Sequence, residues 1–322
     1  KSTMHRFNLT ATPVELCTGA ASCSAPFAFV RGAHLTAPGN ALFGGLSSLV
    51  LTPPDRLRAI SDHGQMVVLP EAPTSSSVAW MAPMLDPANA SVVGAHDDDG
   101  NALSDAEGLT RGAGALFVSF ERWHRVWRYA EAGGAAFDPG FEPVLSACNG
   151  GSSGIRNEGV EALTYLAADP YDDATPARLL ALCEGPSEGL EAMGAVMGWL
   201  LDPAGVASAH PLFYTLHGDL RPVDLARVDG AGLLVLERSY APGYGNTIRL
   251  RHVAEPDLRH ARATPGARLQ GALLFEISPD CCAADNFEGL AVRVEGETVR
   301  VWIVSDDNFS PSQRTLLFEL TL

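Results

Sequence analysis

Carboxylates recur along this chain at positions that suit a shared site. One set closes short apolar runs: RAISD ends at Asp62, FVSFE at Glu121, LALCE at Glu184, LLVLE at Glu237 and WIVSD at Asp306, with spacings of 59, 63, 53 and 69 residues. A second set precedes them in GLSSL, AEGL, VEAL, PVDLARV and FEGLAV, whose register positions Ser47, Glu107, Glu161, Asp224 and Glu288 lie 60, 54, 63 and 64 residues apart. Carboxylates about 4 Å apart repel by about 4 kcal/mol at an effective dielectric of about 20. Acids gathered in space therefore need cations, protons, arginines or backbone amides to offset them. Hard oxygen donors without matching His or Cys favour calcium over zinc. The candidate metal ligands are Asp62, Glu107, Glu121, Glu161, Glu184, Glu288 and Asp306. The competing reading makes each Glu a structural clamp that accepts backbone N–H bonds between adjacent repeats. Arg122 and Arg238 follow Glu121 and Glu237. They either pair with the acids or hold a phosphate or carboxylate through bidentate hydrogen bonds. With Glu237 they form the candidate catalytic set.

The elements that must position these groups are short. The chain carries 32 glycines and 22 prolines, which divide it into brief apolar runs of the kind that form strands joined by turns. Two motifs in phase over five copies define a unit of about 60 residues with at least three strands, the size of a large propeller blade. The sequence thus predicts an all-β fold, a β-propeller with five visible repeat units and five or six blades. Residues 45–322 form the propeller. Residues 1–44 supply either a sixth blade or strands that close the ring with the C-terminal RTLLFELTL, all within a single domain. One short inserted helix is expected over Ser187–Leu201, where apolar residues recur near helical spacing. A doubly wound α/β fold is disfavoured, because its long helical crossovers are missing.

Composition limits the partners. The 322 residues carry a formal net charge of −16, which opposes general binding to the phosphate backbone of nucleic acid and favours cations or ligands that bind through cations. No apolar run approaches the roughly 18–20 residues of a membrane-spanning helix. The chain starts at Lys1 without an apolar leader, so any export signal is expected to have been removed or left out. Six cysteines form no C-x-x-C pair. Cys17 and Cys23 are candidates for a small disulfide loop suited to an oxidising compartment, whereas adjacent Cys281 and Cys282 would strain if joined to each other. Gly150–Gly154 matches G-x-S-x-G but lacks the strand-turn-helix setting of a nucleophile elbow. Asp97–Asn101 lacks the spacing of an EF-hand loop and reads as a hairpin turn. His63 and His124 are read as surface or packing residues, although each lies close to an acid of the ring.

The succession GLSSL, ISDHG, DAEGL, SFERWHRVWRY, EGVEAL, LLVLERSY, DNFEGLAV and WIVSDDNFSPSQRTLLFEL resembles the phytase-like domain family, often labelled "esterase-like activity of phytase". That resemblance spans about residues 40–322 and implies a β-propeller exported by bacteria, usually to the periplasm. The family's acids map onto Asp62, Glu107, Glu121, Glu161, Glu237, Glu288 and Asp306, and its arginines onto Arg122 and Arg238. Two functions are open. The first is a calcium-dependent phosphoesterase or esterase-type hydrolase that acts on a small anionic ester at the ring mouth. The second is a non-catalytic, metal-stabilised propeller that binds a small ligand or a protein there.

Overall fold

The computed structural model describes residues 3–16, 27–96, 100, 102–149, 159–169, 175–186, 190–205, 209–280 and 284–322. The expectations for Cys17 and Cys23, Cys281 and Cys282, Asp97–Asp99 and the Gly150–Gly154 motif fall outside these residues. Strands β1 (His5–Pro13) and β2 (Ala28–Thr36) precede the repeats. Blade 1 follows with β3 (Leu46–Thr52), β4 (Arg56–Ser61), β5 (Gln65–Pro70) and β6 (Ser77–Pro83). Blade 2 holds β7 (Ala106–Gly112), β8 (Ala115–Phe120) and β9 (Arg125–Ala130). A short helix α1 (Glu142–Leu145) leads to blade 3, built from β10 (Val160–Leu166), β11 (Arg178–Cys183), β12 (Ala195–Leu201) and β13 (His210–Thr215). Blade 4 contains β14 (Arg221–Val228), β15 (Gly232–Ala241) and β16 (Gly245–Ala254). Helix α2 (Glu255–Ala263) and the two-residue β17 (Arg268–Leu269) come next, and then β18 (Ala272–Ile277), the fourth strand of that blade. Blade 5 holds β19 (Phe287–Glu295), β20 (Thr298–Ser305) and β21 (Leu316–Thr321).

The innermost strands close a ring: β3 packs on β7, β7 on β10, β10 on β14, β14 on β19 and β19 on β3. Among the described residues the fold is therefore a five-bladed β-propeller. The N-terminal strands stitch the ring. Strand β2 pairs with β21 of blade 5, β1 pairs with β6 of blade 1, and β1 and β2 pair with each other, so both blades share one nine-stranded sheet. The apolar faces meet between blades, as where Trp302 and Val304 of blade 5 pack with Leu49, Leu57 and Val67 of blade 1. Glycines allow the innermost strands to approach. A Cβ on Gly108 would fall 2.4 Å from the Glu161 carbonyl oxygen, and one on Gly289 would fall 3.0 Å from the Ser48 carbonyl carbon.

Of the range expected to form a helix, Ser187–Leu201, the described residues 190–201 form no α-helix. Glu191–Met193 makes a single 3₁₀ turn, Gly194 turns with φ +58°, and Ala195–Leu201 is strand β12. That strand lies between β11 and β13 and is largely buried. A strand covered on both sides reads as a continuous apolar run, which the eye can also fit to helical spacing. The longer helix lies elsewhere, at Glu255–Ala263, with Pro in its first turn and acids at Glu255 and Asp257 that suit the positive helix end.

Candidate functional site

Each innermost strand carries a β-bulge at the same place. The ladders pair Leu46 with Ser61, Ala106 with Phe120, Val160 with Cys183, Pro222 with Glu237 and Phe287 with Ser305, and the register then shifts by one. The residues left between the pairs are Ser47, Glu107, Glu161, Val223 and Glu288. A bulge re-aims its extra side chain, which explains why the acid of E-G-L or E-A-L leaves the alternation of its strand. On the second strands the residues that follow Ser61, Phe120, Cys183, Glu237 and Ser305 are Asp62, Glu121, Glu184, Arg238 and Asp306, and of these Arg238 is still paired, with Arg221.

The acids of these two rings, with Arg238, wall one cavity of about 840 Å³. All seven candidate metal ligands line it, together with Arg122, Arg238 and Asp105. Ligand oxygens of Asp105, Glu107 and Glu121 lie within 4.8 Å of one another, and so do those of Glu121, Glu161 and Glu184. Glu121 belongs to both groups. Its Oε1 also accepts the Gly159 N–H at 3.2 Å, which fixes it between blades 2 and 3. The remaining acids have partners of their own: Ser47 donates to Asp62, Asn286 donates to Glu288 and Asp306, and the Asn308 N–H donates to Asp306. Arg238 Nη2 lies 3.2 Å from Glu288 and 3.5 Å from Glu184, while Arg122 pairs through Nε with Asp105.

Burial and mutual repulsion hold these carboxyls far from their ordinary range. Burial, then Glu288, pushes Asp62 up to about 7. Burial, then Asp105 and Glu184, pushes Glu121 up to about 8, and burial with Glu288 and Asp62 pushes Asp306 up to about 9. Glu107 and Glu161 rise well above the usual value, foremost through burial. Burial alone would lower the Arg238 guanidinium, but Glu288, Glu161 and Glu184 outweigh it and raise it. The cavity is therefore a place where protons or metal cations are strongly favoured.

A family model described as "Phytase-like: Esterase-like activity of phytase" matches residues 41–309. The chain belongs to this phytase-like family. Similar solved structures include a glutaminyl cyclase from Myxococcus xanthus, 12% identical, covering 91% of this chain and 95% of that one with a TM-score of 0.45. The PQQ-bound aldose sugar dehydrogenase of Streptomyces coelicolor is 12% identical, with coverages of 94% and 99% and a TM-score of 0.48. The allergen Mala s 1 of Malassezia sympodialis is 13% identical, with coverages of 90% and 86% and a TM-score of 0.45. No curated protein matches the sequence. No helix among the described residues is long and apolar enough to cross a membrane.

Two sequence equivalences of this phytase-like chain need correction, both in blade 4. Glu237 does not line the cavity. Its ladder position corresponds to Ser61 and Ser305, and its fully buried carboxylate accepts from Tyr214 Oη at 2.7 Å and Arg251 Nε at 2.7 Å, with His217 Nδ1 at 3.3 Å. It ties blades 3 and 4 together and has no access to a substrate in the cavity. Arg238 takes the ring position instead. Asp224 is likewise one residue past the bulge, where it accepts from Ser48 Oγ at 2.9 Å, Leu225 N–H at 2.8 Å and Leu290 N–H at 2.7 Å. It is a clamp between blades 4, 5 and 1. Asp105 is the site residue that the sequence reading passed over, although it precedes Glu107 by two in the quoted DAEGL. His63 stacks on Phe309 at 3.8 Å, and His124 is buried next to the Glu121 loop. Cys148 and Cys183 form a disulfide that joins the segment after α1 to the end of β11, immediately before Glu184.

Proposed function

We propose that the protein is an exported, calcium-dependent hydrolase of phosphate esters that works in the acid-walled cavity. The observation that carries this reading is Glu121, whose carboxylate belongs to both three-acid groups while Arg122 and Arg238 line the same cavity. The donor set is all carboxylate oxygen, which fits a hard divalent cation such as calcium. Asp105, Glu107 and Glu121 would hold one ion, and Glu121, Glu161 and Glu184 a second. Bound calcium would polarise a phosphoryl oxygen and acidify a coordinated water.

The chain's own groups supply the rest. Arg122, half-exposed and anchored through Nε to Asp105, has further N–H donors with which to bind a phosphate oxygen. Arg238 places a fixed positive charge between Glu184 and Glu288 and limits repulsion on that side of the ring. Asp62 lines the cavity outside both three-acid groups, so we assign it the proton of the attacking water. An anionic ester approaches a chain of net charge −16 only where cations reverse the local potential, which builds metal dependence into the reaction. The buried Cys148–Cys183 disulfide supports an oxidising location, periplasmic or extracellular.

The test is product release from phosphomonoester, phosphodiester and carboxylester panels, with calcium or chelator, on the native protein and Glu121→Gln. Turnover that needs calcium and fails in the variant supports the reading. An inert panel with calcium demonstrably bound would instead assign the protein as a metal-stabilised binding module.

A further inference from the structure

The β15–β16 hairpin of blade 4 extends past the ring of acids. Strands β4, β8, β11 and β20 end one residue before Asp62, Glu121, Glu184 and Asp306, whereas β15 runs three residues beyond Arg238 to Ala241. In that extension Tyr240 pairs with Asn246 of β16. Side chains alternate along a strand, so Tyr240 shares a face with Arg238. Both line the acid-walled cavity, together with Asn246. Tyr240 is 64% exposed and makes no hydrogen bond or ring contact among the described residues. An aromatic face is thus open at the mouth.

The loop between β20 and β21 brings a cation to the same cavity. Arg314 Nε donates to Asp285 Oδ2 at 3.1 Å, and both residues line the wall. The Arg314 side chain is 39% exposed, and its terminal nitrogens have no partner among the described residues. The guanidinium is therefore tethered at Nε and offers its remaining N–H donors to a ligand. Arg122 is tethered in the same way by Asp105 and is assigned to the phosphoryl group, while Arg238 is engaged with Glu184 and Glu288. Tyr240 and Arg314 are left for the other end of an ester.

On the hydrolase reading of the cavity, we propose that this rim selects esters whose alcohol part is an aromatic ring carrying a second anionic group. The ring lies against Tyr240, and the anion takes the free N–H groups of Arg314. Calcium and Arg122 hold the phosphoryl end. The volume of about 840 Å³ suits a ligand with two such ends, since small-molecule sites run from about 300 to 1,000 Å³.

The probes are phenyl phosphate and 4-carboxyphenyl phosphate, each of which takes up one water to give inorganic phosphate and a phenol. On the calcium-loaded protein the carboxylated ester should have the lower KM, by about tenfold, the worth of one charge-assisted hydrogen bond. Arg314→Met should cancel that preference through KM, with kcat little changed. Tyr240→Ala should raise KM for both aryl esters about fivefold relative to ethyl phosphate, the worth of one aromatic contact. Because Tyr240 is exposed, that variant decides the matter if Arg314→Met does not fold. Equal KM values for the two aryl esters in the native protein, or a preference kept in Arg314→Met, would overturn the proposal. If no ester is turned over, the hydrolase reading fails on its own. Calorimetry with benzylphosphonate and 4-carboxybenzylphosphonate, which cannot be hydrolysed, then reads the rim without chemistry. Tighter binding of the carboxylated phosphonate, lost in Arg314→Met, supports selection by the rim, and equal or absent binding of the two overturns it.

Discussion

Arg238 occupies in blade 4 the ring position that Glu184 holds in blade 3, and its Nη2 lies 3.5 Å from the Glu184 carboxylate. The five-fold repeat would otherwise bring one more acid into the mouth. Instead, the blade with an apolar bulge residue, Val223, also carries the ring's cation, so both of its positions depart from the acid pattern.

Arg238→Met should therefore destabilise the metal-free protein by about 3 kcal/mol, because it strands Glu288 and Glu184 without their shared cation. Calcium should recover much of that loss. Urea unfolding in chelator and in calcium measures both, and equal destabilisation in the two conditions would mean that calcium does not reach this side of the ring.

The acid ring sets the pH dependence of the metal-free fold. Asp62, Glu121 and Asp306 bind protons more tightly folded, at about 7, 8 and 9, than in the unfolded chain at 3.8–4.5. Where the native state binds more protons, stability falls as pH rises. In chelator the contribution of these groups should thus be greatest below about pH 4, and the melting temperature should decline from there through about pH 9. Calcium competes with those protons, so its stabilising effect should grow over the same range. A melting temperature in chelator that rises from pH 5 to 9 would contradict the burial assigned to these acids.

Asp224 is a clamp, and its substitutions should affect stability without affecting metal binding. Asp224→Ala leaves the N–H of Leu225, the N–H of Leu290 and Ser48 Oγ without their acceptor, at a cost of about 3 kcal/mol or more. Asp224→Asn keeps one acceptor oxygen and should cost less. Calcium affinity, measured by titration calorimetry, should be unchanged in any Asp224 variant that remains folded.

Replacing both Cys148 and Cys183 by Ser releases a crosslink that spans 35 residues. Loop-closure entropy for that length is about 4 kcal/mol. Urea unfolding of the oxidised protein and the double variant should show a loss approaching that value. No change in midpoint would place the crosslink outside the cooperative unit.

The repeat was legible because it is periodic: two motifs in phase show five units and the E-G-L glycines mark where their innermost strands approach, but five or six blades stayed open until β1 and β2 were seen to join the sheets of blades 5 and 1. The blade 4 alignment was not legible. LLVLE matches the other acid-terminated runs by its last residue, yet β15 continues to Ala241, and the bulge puts Arg238 in register with Glu184. Leu233 through Glu237 are all buried, so no alternation betrays which side each residue faces. Strand β12 misleads for the same reason. Asp105 precedes strand β7, outside both repeated positions, and joins the site because its carboxylate lies near those of Glu107 and Glu121.

Glu121 is the carboxylate common to both proposed calcium sites, so its neutralisation tests the account most directly. Calcium should be titrated calorimetrically into the metal-free native protein and into Glu121→Gln, with ester hydrolysis followed on the same samples. Two calcium ions should bind per native chain, with affinity lost at both sites in the variant and turnover lost with them. Native-like calcium binding and calcium-dependent turnover in Glu121→Gln would contradict it.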